Sequence, residues 1–240
     1  MRITGYAEVR AVLSDTSYVP PPPPADAAYG TLGWLRSQVS RFAAGAVHAE
    51  RRALVEDRLS RLDAAALRTA AATTTRALLD GSPRDMAGRV LAHGVPARVL
   101  GHALGVHDLD ALAPAVETAA TGYLSGVVTP DIDAAVARLL TLADVPEITI
   151  LLQAHGATTA LLRNALARLH EASNPEELLH QTLRHDPPVS ATKRVDPAGV
   201  LVEVDLTPDL AFGHGPRRCP GSGHAMAIAT GILETIMEYR

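Results

Sequence analysis

Apolar residues recur along most of the chain three or four positions apart, the spacing of amphipathic helices rather than the alternation of strands. GYAEVRAVLSD sets Val9, Val12 and Leu13 on one face and predicts a short helix. Pro20 to Pro24 follow as a polyproline run, stiff and extended over about 15 Å. Such a run can dock on a proline-binding partner or act as a rigid connector inside one domain, and the second reading is preferred. AVHAERRALVEDRLSRL and DAAALRTAAATTTRALLDG predict two further helices, the latter ended by Gly81. DMAGRVLAHGVPARVLGHALGV is apolar on most sides, which predicts burial. Asp110 to Leu124 and Asp131 to Leu142 read as amphipathic helices, with Thr129–Pro130 opening the second. EITILLQAHGATTALLRNALARL is the longest apolar helix and the natural centre of the fold. NPEELLHQTLRHDPPV predicts a helix stopped at Pro187–Pro188, and a last helix runs from about Ser222 to Tyr239. Only VLVEVDL alternates, the one convincing strand. There is no internal repeat and no composition break, so residues 1–240 are expected to form a single, mostly α domain.

Composition narrows the class. A chain of 240 residues can bury a sizeable core. A net charge of −4 argues against a dedicated nucleic-acid binder. No apolar run reaches membrane-spanning length, and MRITGYAEVR lacks the pattern of a signal peptide. The expectation is a soluble, cytoplasmic protein with neither nucleic acid nor membrane as partner. Aromatic residues make up only 3% of the chain, so any substrate pocket should be lined mainly by aliphatic side chains.

The single cysteine, Cys219, lies in FGHGPRRCPG. A lone Cys cannot staple the fold, so it is either packing filler or a reactive group. Gly213, Gly215 and Gly221 allow sharp turns and close approach of the backbone to a flat ligand. Arg217 and Arg218 beside the sulfur, and backbone N–H groups at the start of the following helix, would favour the thiolate. A thiolate held by a glycine-rich loop against a flat cofactor suggests haem iron with a Cys proximal ligand.

FGHGPRRCPG resembles the haem-binding loop of the cytochrome P-450 family, Phe-x-x-Gly-x-Arg/His-x-Cys-x-Gly. Phe212, Gly215, Arg217, Cys219 and Gly221 all match it. AHGATT, Ala154 to Thr159, is similar to the family's oxygen-binding segment, Ala-Gly-x-Glu/Asp-Thr-Thr. Ala154, Thr158 and Thr159 match, but His155 stands at the glycine, Gly156 follows one step later, and Ala157 replaces the acid. In the family that acid–alcohol pair delivers protons to iron-bound dioxygen. His155, one turn from Thr158, is then a candidate acid–base group, an iron ligand, or a buried histidine bonded to a carbonyl. Read from the residues alone, the polar insertion would weaken the helix and give a kinked segment with its threonines bonded to the preceding turn.

HAERR places His48 and Arg52 on one helical face, as does the family's His-x-x-x-Arg motif for the haem propionates. The resemblance adds Arg194 and Arg217, giving four donors for two carboxylates. Gln181 and Arg184 fall at the family's buried Glu-x-x-Arg pair, with the charge lost at Gln181. Residues 195–211 between Arg194 and Phe212 leave no room for the usual meander. His214 and His224 flank Cys219, but zinc needs four ligands and there is no second Cys.

The resemblance runs in order through nearly the whole chain. Lacking the family's N-terminal helix, its first strands, much of its sheet and its final hairpin, the chain resembles a cytochrome P-450 helical core with the β-sheet largely lost. Uncovered helix faces would then favour a homodimer or an unusual repacking. The resemblance implies haem b (iron protoporphyrin) on Cys219, with His48, Arg52, Arg194, Phe212, Gly215, Arg217 and Gly221 around it and Thr158 and His155 as catalytic groups. It also implies oxidation of a small organic substrate in specialised metabolism, driven by peroxide or by a ferredoxin. Alternatives are haem-dependent dehydration, rearrangement or N–N bond formation, and a haem-free cyclase, isomerase or activating partner that reuses the fold.

Overall fold

The computed structural model describes residues 1–79, 85–206 and 209–239. In chain order its helices are α1 (Tyr6–Ser14), α2 (Leu32–Gln38), α3 (Gly45–Ser60), α4 (Ala64–Leu79), α5 (Met86–Ala92), α6 (Val95–Ala103), α7 (Leu109–Tyr123), α8 (Pro130–Leu140), α9 (Val145–Ala167), α10 (Pro175–His185) and α11 (Ser222–Glu238). The strands are β1 (Arg2–Ile3), β2 (Ala191–Val195) and β3 (Leu201–Asp205). The chain is therefore mostly α with a small sheet. Gly81, the expected stop of α4, lies outside the described residues.

At the centre is α9, 23 residues long, against which α3, α6, α7, α10 and α11 pack. Its start is fixed by a reciprocal cap. The Asp144 carboxylate accepts from the Glu147 N–H at 3.1 Å, and the Glu147 carboxylate accepts from the Asp144 N–H at 3.1 Å. Arg58 of α3 reaches the same Asp144 at 2.9 Å, tying α3 to the beginning of α9. The expected weakening of the helix at AHGATT does not occur: α9 is continuous through it. Two threonines are too small a propensity penalty to break a helix that is anchored by burial on either side. Among the described residues neither Thr158 nor Thr159 bonds back to the preceding turn, whereas Thr149 does, donating to the Val145 carbonyl at 2.7 Å.

The apolar segment 85–106 is two helices rather than one. Gly94, at φ +64, breaks the ladder between α5 and α6. The proline run leaves the sheet edge, where Val19 bridges Val195, and leads to α2 as an internal connector.

More sheet is present than one strand. The order is β1-β3-β2, with β1 parallel and β2 antiparallel to β3. A short N-terminal strand, Arg2–Ile3, is thus present in addition to the alternating one. Val202 and Val204 point from β3 into a small core with Ile3, Val9, Val12 and Leu13, which explains the alternation. Register sets Arg194 opposite Val202, on that inward face. The sheet is small, yet it decides where Arg194 points.

Candidate functional site

The stretch from Leu210 to Gly221 closes on itself. The Gly213 N–H donates to the Leu210 carbonyl at 2.7 Å, and the Cys219 N–H to the Phe212 carbonyl at 2.8 Å. A single 3₁₀ turn, Gly215–Arg217, lies between them. Gly215 sits at φ +66, and a Cβ there would come within 2.6 Å of the Leu13 carbonyl oxygen at the end of α1. Only glycine fits both the dihedral and the contact. Gly221 differs: its φ is −100, and a Cβ would meet Leu59 at an ordinary 3.7 Å. Its N–H nonetheless lies near enough to the Cys219 sulfur to lower the thiol's pKa. Phe212 packs on the helical core and lines a surface hollow with Leu183, Arg184 and Met226.

Cys219 is reachable by solvent, although protein crowds it from several sides. That crowding pushes the thiol above its ordinary value, outweighing the Gly221 N–H and the charges of Arg52, Arg218 and Arg41, which pull it down. The expected arginine-stabilised thiolate is corrected in this respect: desolvation wins, and Arg217 acts elsewhere. Coordination to a metal ion would remove the proton that these neighbours alone do not.

Around the cysteine gathers a set of cations. Arg52 donates to the Arg218 carbonyl at 2.6 Å and pairs with Glu56 at 2.7 Å. Arg217 donates to the Ala43 carbonyl at 2.6 Å. Arg194, only 8% exposed, donates to the Thr192 hydroxyl and the Lys193 carbonyl, both at 2.8 Å. Among the described residues neither Arg194 nor Arg217 has a carboxylate partner. The electrostatics record the mismatch. Burial, then Arg217 and Arg41, bring Arg194 down to about 10. Burial, then Arg41 and Arg52, lower Arg217. Burial and the charges of Arg217, Arg52 and Arg194 hold His48 at about 4, against the pull of Glu56, so it is neutral at pH 7. The four residues named from the sequence are thus brought together. Arg41, in the Ser40–Phe42 turn, belongs with them and was missed. Its only sequence signal is a charge between residues that pack inward, too common to single out.

The other segment singled out from the sequence lies in α9. Ile148, Leu151 and Leu152 are buried before the centre, and Thr158, Leu161, Leu162 and Ala165 after it. Residues 153–157 between them are all at least partly exposed. Ala154 and His155 share the stripe of Leu151 and Thr158, so the core-facing side of the helix is open for one turn at these two. His155 has a buried Nδ1 without a partner, and burial lowers its pKa against the weaker pull of Glu117. Among the described residues no carbonyl accepts from it. Thr158 is packed at 3% exposure, at the edge of the opening rather than within it.

The remaining sequence candidates separate. Gln181 donates to Glu177 at 3.1 Å while Arg184 is exposed, so no buried ion pair forms between them. His214 accepts from Arg10 at 3.4 Å and His224 contacts the Leu62 carbonyl at 3.2 Å. No metal-ligating cluster of three or more His, Cys, Asp or Glu occurs among the described residues. Nor is any helix among them long and apolar enough to cross a membrane.

The residues fit a haem. Two propionates would supply the dianion that the unpaired arginines lack, and Cys219 offers a reachable sulfur. Neither a family model nor a curated protein matches the sequence. Solved structures match the fold. A cytochrome P450, P450BioI, in complex with an acyl carrier protein bearing hexadec-9Z-enoic acid, superposes with a TM-score of 0.78 at 18% identity, over 99% of this chain and 84% of that one. A substrate-free cytochrome P450 from Mycobacterium marinum gives 0.66 at 19% identity, over 99% and 80%. A thermophilic cytochrome P450 from Sulfolobus tokodaii gives 0.67 at 17% identity, over 98% and 86%. At such identities the likeness establishes the fold: this chain is folded as a cytochrome P450 helical core with a reduced sheet.

Proposed function

We propose that the chain is a haem-thiolate oxidoreductase acting on a small organic molecule in specialised metabolism. Cys219 is the iron ligand, and His48, Arg52, Arg194 and Arg217 hold the propionates of haem b. The observation that carries this reading is the charge imbalance beside the cysteine. Arg194 is buried and Arg217 half-buried, and among the described residues neither has an anionic partner. Leaving such charges unpaired is costly, and a dianionic ligand offsets that cost. A neutral His48 adds a hydrogen-bond donor rather than a fifth charge.

Thiolate-ligated haem, when bound, supplies oxidising chemistry at its iron. The chain contributes the rest. The Gly221 N–H steadies the sulfur, the loop closed by Gly213 and Cys219 fixes its direction, and the arginines orient the ring by its carboxylates. With Ala157 in place of an acid, proton transfer falls to His155, whose neutral ring lies at the opening in α9 and can accept or donate a proton. Thr158 flanks it. This division favours peroxide as oxidant over dioxygen activated through a ferredoxin. A homodimer is a further proposal, supported by exposed Val47 and Leu54 on one face of α3; light scattering tests it.

The test is absorption spectroscopy of protein produced with a haem precursor. A strongly red-shifted band in the ferrous carbon monoxide form, lost in Cys219→Ser, is expected. A folded protein that takes up no haem would overturn the reading. In its place would stand a haem-free catalyst or partner using the same fold, which the solvent-exposed Arg184 and the tightly packed Thr158 favour.

A further inference from the structure

Two polar groups near the end of α7 are buried without partners: the Tyr123 hydroxyl and the Arg36 Nε. Tyr123 is 1% exposed, its ring edge-on to Phe42 at 5.6 Å between centroids. Arg36 on α2 lays its guanidinium over the other side of the same cluster, 4.3 Å from the Phe42 centroid. Gly126 follows α7 at φ +79, and a Cβ there would come within 2.5 Å of the Arg36 Nη1, so this turn is shaped around the guanidinium. Among the described residues Arg36 makes no ion pair, and Arg41, whose charge acts on both Arg36 and Tyr123, makes none either. Gln153, in the open turn of α9, lies alongside the Tyr123 hydroxyl but makes no hydrogen bond of normal geometry with it.

Buried polar groups in native proteins are almost always satisfied, and adjacent exceptions point to an absent partner. Here both orphans are donors or can act as donors, and one, on Arg36, carries positive charge. Burial keeps the Tyr123 phenol protonated, so it too presents a donor. A water molecule could serve the hydroxyl but would leave the Arg36 charge unanswered. A planar oxyanion answers both, bidentate on Arg36 and hydrogen-bonded to Tyr123.

We propose that Arg36 and Tyr123 form a carboxylate-binding subsite on the α2–α7 side of the α9 opening, so that the substrate is a small organic acid. The proposal rests on the reading of this opening as the reaction site and adds the class of molecule it takes. Phe42 backs the guanidinium and fixes its plane, a preorganisation that favours a carboxylate over a bulkier tetrahedral anion.

Trp34, the sole tryptophan, is on α2 two residues from Arg36 and reports locally. Protein as purified is titrated with hexanoate and benzoate, and with hexanol and benzamide as neutral matches, by Trp34 fluorescence and calorimetry. At least one carboxylate should bind at least tenfold more tightly than its neutral match. Arg36→Gln should abolish that preference. Tyr123→Phe should weaken carboxylate binding several-fold without lowering the melting temperature of the free protein, since it removes only an orphaned hydroxyl. Equal binding of acids and neutral compounds, no binding of either acid, or a carboxylate affinity unchanged in both variants would overturn the subsite. The haem absorption of the same samples separates the two readings. A colourless protein with Arg36-dependent carboxylate binding retains the subsite and loses the haem, whereas a coloured protein without the preference does the reverse.

Discussion

The Arg52 guanidinium donates a 2.6 Å hydrogen bond to the backbone carbonyl of Arg218, the residue before Cys219. One side chain of α3 thereby fixes the height of the cysteine loop while Glu56, one turn along, holds the other side of the guanidinium at 2.7 Å. Arg52→Met should cost about 1.5 kcal/mol in urea denaturation, the worth of a hydrogen bond from a charged donor. It should also loosen haem retention. A variant as stable as the parent would show that the loop is held by other contacts.

Arg194 and Arg217 should behave in the opposite way. Each is a buried or half-buried cation near others and without a carboxylate, so Arg217→Gln removes repulsion as well as a hydrogen bond. In haem-free protein its stability should stay within about 0.5 kcal/mol of the parent. Haem affinity should fall about tenfold or more, because one charged partner of a propionate is lost. Denaturation and haem titration on one preparation check both halves, and a parallel loss of each would contradict the charge-imbalance account.

Gly215 and Gly221 separate conformation from ligand contact. Gly215→Ala meets a positive φ and the Leu13 carbonyl, and should destabilise the haem-free fold by roughly 1–3 kcal/mol. Gly221→Ala meets neither, so its haem-free stability should change little. Urea midpoints decide between them.

His48 is held at about 4, below its ordinary 6.5. Between those values the unfolded chain takes up a proton that the folded chain refuses. Stability from this group is therefore full above pH 6.5 and falls as the pH drops towards 4. After allowance for solvent screening the loss is about 1 kcal/mol. His155, also lowered, adds to the same direction. In haem-free protein His48→Gln should flatten the decline between pH 6.5 and 4, and bound propionates should shrink it by favouring the charged imidazole.

The sequence by itself determined most of the helices and the cysteine loop, because both depend on short-range relations. Val9, Val12 and Leu13 recur at helical spacing and are buried. The Phe212 to Gly221 pattern encodes turns, hydrogen bonds and a sulfur within a few residues of one another. His48 and Arg52 share a face for the same local reason. Tertiary structure alone decided the rest. β1 is two residues long and exists only because β3 lies beside it, so no local pattern announces it. Whether the cysteine is acidified was a contest between neighbouring charges and crowding, and crowding comes from elements far away in the chain. Arg36 and Tyr123 meet across α2 and α7, and their significance lies in partners they do not have. Periodicity reports which side of an element is buried; only the assembled fold shows which buried charges and donors are left unsatisfied, because satisfaction is a property of pairs that the chain brings together from a distance.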